Sequence, residues 1–343
     1  MAIIALSVVG ASASGDLAGY EATDHGGLLH ILRSRGHDIV EPSDPSATHF
    51  VAMDHNRASF HSVASRVPVG RRQLVVFEPR VVLPDNYKRT VRKHYGSVLS
   101  VGVRADMGSR SALAWPQRDW RAHPTPTGKH SPGTSVLINA NKNSMISGSL
   151  YGLRRRVIVA FDQMNLPLTL AGSNWGRTGR DAFIENGRAV AYALVNHQKI
   201  DLAEWNRGLP LDGSVTDVGT VSDKQAVLAD CEFAVVIENS ATYFSEKLFD
   251  VIAAGCVPLY VGPPLADLAI PDGVAVQLDV AARPADFIDA VLRLGAEQKD
   301  RVLQSGREWL AEESTWQTWA MPGALERLAK AIDSTIAAGI EKA

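Results

Sequence analysis

The stretch from Phe233 to Gly262, FAVVIENSATYFSEKLFDVIAAGCVPLYVG, constrains this chain more than any other. Phe233 to Ile237 is an apolar, β-branched run of the kind buried on both faces of a parallel sheet. Glu238, Asn239 and Ser240 follow at once, where a strand gives way to a loop. Ser245 is placed to cap a short helix, with Glu246 in its first turn. Gly255 fits the left-handed position after that helix. Val257 to Val261 is a second buried strand, stopped by Gly262-Pro263-Pro264. The unit is strand–helix–strand with polar residues at the edge where open α/β sheets bind ligands.

Glu238, Asn239, Tyr243, Glu246 and Lys247 carry the polar chemistry of this unit. A lysine at a helix start opposes the helix dipole unless an anion is bound there. A phosphate would satisfy both the backbone N–H groups and Lys247. A solvated helix face holding Glu246 and Lys247 is the other reading of the same pattern.

The stretch resembles the donor-binding motif of the α-1,3/4-fucosyltransferase family. The matching residues are Phe233, Glu238-Asn239-Ser240, Tyr243, Ser245-Glu246-Lys247, Gly255, Val257-Pro258 and Gly262. Ser245 stands where the family has Thr, and the loop from Ser240 to Tyr243 is shorter than the family's.

Length and composition agree with a two-domain globular protein: 343 residues, 45% hydrophobic and 21% charged. A formal net charge of −2 argues against a nucleic-acid binder. Two cysteines, Cys231 and Cys256, make neither a disulfide framework nor a metal site, which points to the cytosol, with or without peripheral attachment to the inner membrane. No apolar run is long enough to span a membrane. Ala2 to Val9 and the small residues behind it look like a signal-peptide end, but no Lys or Arg precedes them. Ile3 to Val9 therefore reads as a first strand, and Gly10 to Gly15 as a loop able to approach a ligand.

Strands and helices alternate along the chain, which implies doubly wound parallel sheets. Strands are expected at Ile39-Val40, Thr48–Met53, Leu74–Phe77 and Val98–Val101, with a helix over Leu28–Arg35. The segment Arg118–Gly133 holds three prolines, two glycines and two histidines without apolar periodicity, and reads as a connection between domains. His123 and His130 there read as solvated. A second domain opens at Val136–Asn139, and helices are expected from Gly152, over Asp223–Ala229, Ala285–Leu294, Asp300–Glu312 and Pro322–Ile340. The stretch from Arg177 to Gly219 is longer than the family's, with Ala189–Val195 helical inside it. The domains expected are 1–125 for an acceptor, 126–325 for a nucleotide sugar, and a helix over 326–343 able to return to the first.

Two further segments carry the resemblance. Gln73 to Pro79 is an apolar strand ending in Glu78 and Pro79, and in the family this Glu is the base. A carboxylate at the end of a buried strand is partly desolvated, which raises its affinity for a proton toward a useful range; a loop Glu capping a nearby helix is the plainer alternative. Arg154 matches the family's diphosphate-gripping Arg, and Arg156 falls where some members carry a second. A planar guanidinium suits phosphate oxygens. Three basic residues on a solvated helix face is the alternative, and fits Arg155 best.

The resemblance implies a GT-B fold, two Rossmann-like domains facing across a cleft. It implies an inverting α-1,3-fucosyltransferase that uses GDP-fucose and a glycan or glycoside acceptor. Another nucleotide sugar, or a noncatalytic sugar-nucleotide-binding protein, are the competing readings. No cofactor is expected: no two aspartates stand two apart, so the Asp-x-Asp pair that bridges a divalent ion to a diphosphate is missing from the sequence. A dinucleotide oxidoreductase is disfavoured because Gly10 to Gly15 lacks G-x-G-x-x-G spacing. The acceptor and the oligomeric state have no signature in the sequence.

Overall fold

Short β-branched runs separated by helical segments too brief to stand alone can bury their surface only by stacking into layers. The computed structural model describes residues 1–8, 16–102, 112–122, 130–176, 179–209 and 213–340. The chain divides into two compact units, Met1–Asp119 with Trp316–Ala343, and Trp120–Thr315. The loop Gly10 to Gly15 and His123 lie outside the described residues.

The first unit runs β1 (Ile3–Val8), α1 (Leu17–Glu21), α2 (Gly27–Ser34), β2 (Asp38–Val40), β3 (His49–Met53), α3 (Arg57–Val63), β4 (Arg72–Val76), α4 (Arg89–Arg92), β5 (Ser97–Val101) and β6 (Ala112–Leu113). Its six-stranded sheet has the order β2-β1-β3-β4-β5-β6, every pair parallel. All five residues of β3 and all five of β4 are buried. Leu28, Leu29 and Leu32 of α2 are wholly buried in one cluster with Leu325, Leu328 and Ile332 from the last helix of the chain. Burying each such side chain stabilises the fold by about 1.5–3 kcal/mol. Arg35 ties the two helices together with ion pairs to Glu326 at 2.6 Å and Asp333 at 2.7 Å.

The second unit runs β7 (Ser131–Ile138), α5 (Tyr151–Gln163), β8 (Leu168–Ala171), α6 (Gly179–Val195), β9 (Val215–Asp217), α7 (Lys224–Ala229), β10 (Cys231–Ile237), α8 (Lys247–Ala253), β11 (Val257–Val261), β12 (Val276–Gln277), α9 (Pro284–Arg293) and α10 (Ala296–Ala311). α11 (Glu313–Trp319) follows, and α12 (Met321–Ile340) is the last helix, packed on α2. The second sheet has the order β12-β11-β10-β7-β8-β9, again with every pair parallel. β10 lies between β11 and β7, so its C-terminal end emerges in the middle of the sheet edge.

Several expectations shift. β7 begins at Ser131, inside the stretch read as a connection, because Ser131 pairs with Cys231 and the Gly133 N–H donates to the Glu232 carboxylate at 2.7 Å. His130 is half-buried rather than solvated, its ring against Gly255. The helix inside the long insertion runs from Gly179, not Ala189. It buries Ala182, Asn186 and Ala193, while Phe183 is 68% and Val195 75% exposed. Its largest apolar side chains point away from the core, so apolar periodicity locates the wrong face. Among the described residues no helix is long and apolar enough to cross a membrane.

Candidate functional site

Beyond Ile237 the β10 chain must turn out of the sheet, and its polar groups lose their ladder partners. The Glu238 N–H still donates to the Val261 carbonyl at 2.9 Å, so its side chain is held inside, fully buried. A carboxylate there is costly unless it is hydrogen-bonded and paired. Ser245 supplies its backbone N–H at 3.0 Å and its hydroxyl at 2.8 and 3.1 Å. The Lys247 ammonium donates to the same carboxylate at 3.0 Å and to the Ser245 hydroxyl at 2.6 Å.

This corrects one expectation and extends another. Ser245 is not the helix cap: α8 starts at Lys247, and Ser245 spends its donors on Glu238. The anion that reconciles Lys247 with the positive end of α8 is, in this structure, the Glu238 carboxylate. Gly262 acquires a reason as well. A Cβ there would lie 2.3 Å from the Tyr260 hydroxyl and 2.9 Å from Glu238 Cγ. Gly262→Ala is therefore expected to cost about 1–3 kcal/mol by overpacking, and Tyr260→Phe in the same chain should recover part of it. Urea unfolding midpoints measure both; an unchanged midpoint for Gly262→Ala would refute the close packing.

Arg154 lies on the core side of α5 and is 2% exposed. Its Nε and Nη2 donate to the Ile237 carbonyl at 3.1 and 2.6 Å, and Nη2 donates to Asn239 Oδ1 at 2.9 Å. The guanidinium stacks over the Tyr151 ring, 4.7 Å from its centre. Burial lowers its proton affinity from the usual arginine value, opposed by Tyr151 and Glu238. Arg154 thus closes the orphaned end of β10 and aims Asn239. The Leu150 N–H adds a bond to the Asn239 carbonyl at 3.1 Å.

Arg155 is buried too, donating to the Glu204 carbonyl at 2.6 Å and the Lys142 carbonyl at 3.2 Å. A solvated face is therefore ruled out for Arg154 and Arg155. The Glu204 carboxylate, raised in proton affinity by burial, accepts from the Gly152 N–H at 2.7 Å and the Ser149 hydroxyl at 2.8 Å. Nothing in the sequence around Glu204 or Ser149 signals this clamp, because the partners are about fifty residues apart.

The structure therefore brings Arg154, Glu238, Asn239, Ser245 and Lys247 together at the end of β10. Tyr243 is 3% exposed in the same turn. Glu246 faces Lys224, whose ammonium lies 3.9 Å from its carboxylate and 3.7 Å from that of Asp250. Arg156 is apart from this group: it donates to the Ala203 carbonyl and, with Arg207 and Trp205, lines a pocket of about 480 Å³.

In the first unit, Glu78 follows β4 and is half-buried. Its N–H donates to Asp54 Oδ1 at 3.2 Å, and its carbonyl accepts from the Tyr87 hydroxyl at 3.2 Å. The main chain at Glu78 is thus held on both sides. Asp54 follows the neighbouring strand β3. Each unit accordingly carries its candidate residues at the C-terminal edge of a parallel sheet, the edge where such sheets take ligands. Among the described residues no group of three or more His, Cys, Asp or Glu is arranged to hold a metal ion.

No protein-family model matches the chain, and no curated protein matches it in sequence. Solved structures do match in fold. A glycosyltransferase from Rickettsia africae aligns over 98% of this chain and 99% of its own, with a TM-score of 0.54 and 11% identity. The Anabaena protein HepE, in complex with UDP and glucose, aligns over 97% and 100% with a TM-score of 0.57 and 12% identity. An α1,3-fucosyltransferase aligns over 98% and 90% with a TM-score of 0.54 and 12% identity. The two parallel sheets and these neighbours place the chain in the GT-B glycosyltransferase fold.

Proposed function

We propose that this chain is an inverting glycosyltransferase that moves L-fucose from GDP-fucose to a hydroxyl of a glycan or glycoside acceptor. The observation that carries the reading is the Glu238–Ser245–Lys247 cluster at the end of β10. These residues are the core of the stretch that resembles the fucosyltransferase donor motif, and they follow a central strand at the C-terminal edge of a parallel sheet, the edge where such sheets take ligands.

The reaction is one displacement. The acceptor oxygen forms a bond to the anomeric carbon as the bond from that carbon to the diphosphate oxygen breaks. The acceptor proton passes to the Glu78 carboxylate, and GDP leaves with the electron pair. Lys247 has three ammonium hydrogens; Glu238 and Ser245 take two, leaving the third for a diphosphate oxygen. A preorganised cation there offsets the charge that develops on the leaving group. Arg154 holds Asn239 and the end of β10 in place, and its Nη1 is the part left for phosphate. Tyr243 and Glu246 are assigned to the sugar or ribose, and Arg156 to the outer part of the nucleotide. No metal or other cofactor is required in this scheme.

A UDP-sugar donor is the second reading, favoured by the neighbour that was crystallised with UDP and glucose. A thermal-shift panel run in EDTA separates the two. GDP and GDP-fucose at about 100 times their Kd should stabilise the protein by about 2.7 kcal/mol, and UDP-sugars should not. A larger shift with UDP-glucose would replace the fucosyl reading by the second. A GDP shift that needs added Mg²⁺ or Mn²⁺ would end the metal-free reading.

A further inference from the structure

Strand β4 ends at Val76, and the next two N–H groups, those of Phe77 and Glu78, leave the ladder. One oxygen accepts both. Asp54 Oδ1 takes the Phe77 N–H at 2.8 Å and the Glu78 N–H at 3.2 Å. It also takes the Asn86 side-chain amide at 2.7 Å. Asn86 is completely buried, and its Oδ1 in turn accepts the His55 N–H at 2.8 Å. The segment after β3, the exit of β4 and the turn at 84–87 are thereby locked to one carboxyl group. Asp54 is 2% exposed and has φ of 61°, a left-handed conformation that costs a non-glycine residue about 1 kcal/mol or more. A strained, buried carboxyl that holds the main chain of a second acidic residue is an arrangement that folding alone does not favour.

We propose that Asp54 is a positioning residue for Glu78, fixing the main chain that carries it and coupling its own charge to that of Glu78. The inference rests on the reading of Glu78 as the base. Burial raises the Asp54 proton affinity to about 7, and the Glu78 charge adds to it, while the three donated hydrogen bonds oppose. Glu78 is the charged group acting on it. Asn86 and Phe77 are uncharged, the His55 ring turns to the Tyr95 hydroxyl at 2.8 Å, and Asp85 pairs with Lys88 at 2.6 Å. A proton on Asp54 goes to Oδ2, so Oδ1 keeps its three donors in either state. Asparagine reproduces that acceptor without the charge.

The test compares Asp54→Asn, Asp54→Ala and Glu78→Gln. Asp54→Ala should lower kcat by about 10²-fold, the scale of a small misplacement of a reacting group, with GDP affinity unchanged. Asp54→Asn should recover most of that rate. Wild-type kcat/KM should also show an inflection near pH 7, where Asp54 ionises and puts a like charge near Glu78, and Asp54→Asn should lose it. A readout independent of activity exists. The folded protein holds the Asp54 proton up to pH about 7, and the unfolded chain releases it near 3.8. Wild-type stability should therefore fall as pH rises between those values, and Asp54→Asn should lose that part of the slope. A wild-type rate for Asp54→Ala, or an Asp54→Asn pH profile and stability slope that superimpose on wild type, overturns the proposal while the base reading stands. Near-normal transfer by Glu78→Gln removes the base reading, and the positioning role falls with it.

Discussion

Replacing Glu78 by glutamine is expected to slow sugar transfer by about 10²–10⁴-fold, the usual cost of losing a general base, and to leave GDP affinity within about twofold of wild type. Glutamine keeps the size of the side chain but accepts no proton. The main chain at position 78 stays held, because its N–H still meets Asp54 and its carbonyl still meets Tyr87. GDP affinity should be indifferent because the Lys247 cluster belongs to the other unit. Calorimetry with GDP and continuous detection of GDP release measure the two quantities on one variant. A rate within a few-fold of wild type would remove Glu78 as the base and direct attention to His55, next to Asp54 at the end of β3.

The second large effect is on stability. Lys247→Met removes the cation from a carboxylate that has no exposure, and leaves Ser245 as its remaining donor in the cluster. Breaking a buried ion pair on one side typically costs about 3–5 kcal/mol. The Lys247 side chain is 15% exposed, so water relieves part of this and the lower end is expected. Adding Glu238→Gln removes the uncompensated charge and should restore most of the stability. It should not restore nucleotide binding, since the charge-assisted contact to phosphate, worth about 1.5–3 kcal/mol, is still absent. Urea unfolding gives the first comparison and GDP titration the second. A Lys247→Met variant that loses less than about 1 kcal/mol would show that Glu238 is held by Ser245 alone. A double variant that binds GDP like wild type would remove Lys247 from the donor site.

Much of the architecture was readable because it rests on local periodicity. The runs at Leu74–Phe77, Phe233–Ile237 and Val257–Val261 are apolar without interruption, the usual composition of a strand buried on both faces. Gly255 after α8 was readable for a similar reason: with φ of 75° it takes a conformation that side chains disfavour. Elements failed where the local signal pointed elsewhere. The start of β7 is carried by Ser131, Pro132 and Gly133, which have no strand propensity and are paired by β10. The first turns of α6 were missed because Phe183 and Ile184 face solvent, and Asn186 is the residue that anchors it. Asn186 receives the Asn143 side-chain amide at 2.7 Å and donates to the Asn206 carbonyl at 2.7 Å.

The candidate site divides along the same line. Sequence alone determined which residues gather at the end of β10, since Glu238, Asn239, Ser245 and Lys247 lie within ten positions and the strand–helix turn has little freedom. It also determined that Glu78 closely follows a buried strand. Which atom serves which was decided only by the tertiary structure. Ser245 looked like a helix cap because a serine before a helix usually is one. It serves Glu238 instead, because a fully buried carboxylate has a stronger claim on its donors than a helix end that water can reach. Arg154 is also the partner of Ile237 and Asn239, eighty-odd residues away along the chain, a second duty that its place in the sequence does not announce. Asp54, Asn86 and Glu204 show no motif, because the hydrogen bonds that define them join segments that only folding brings together. Short-range order follows from the spacing of apolar side chains, whereas the pairing of buried polar groups follows from which of them lose water together.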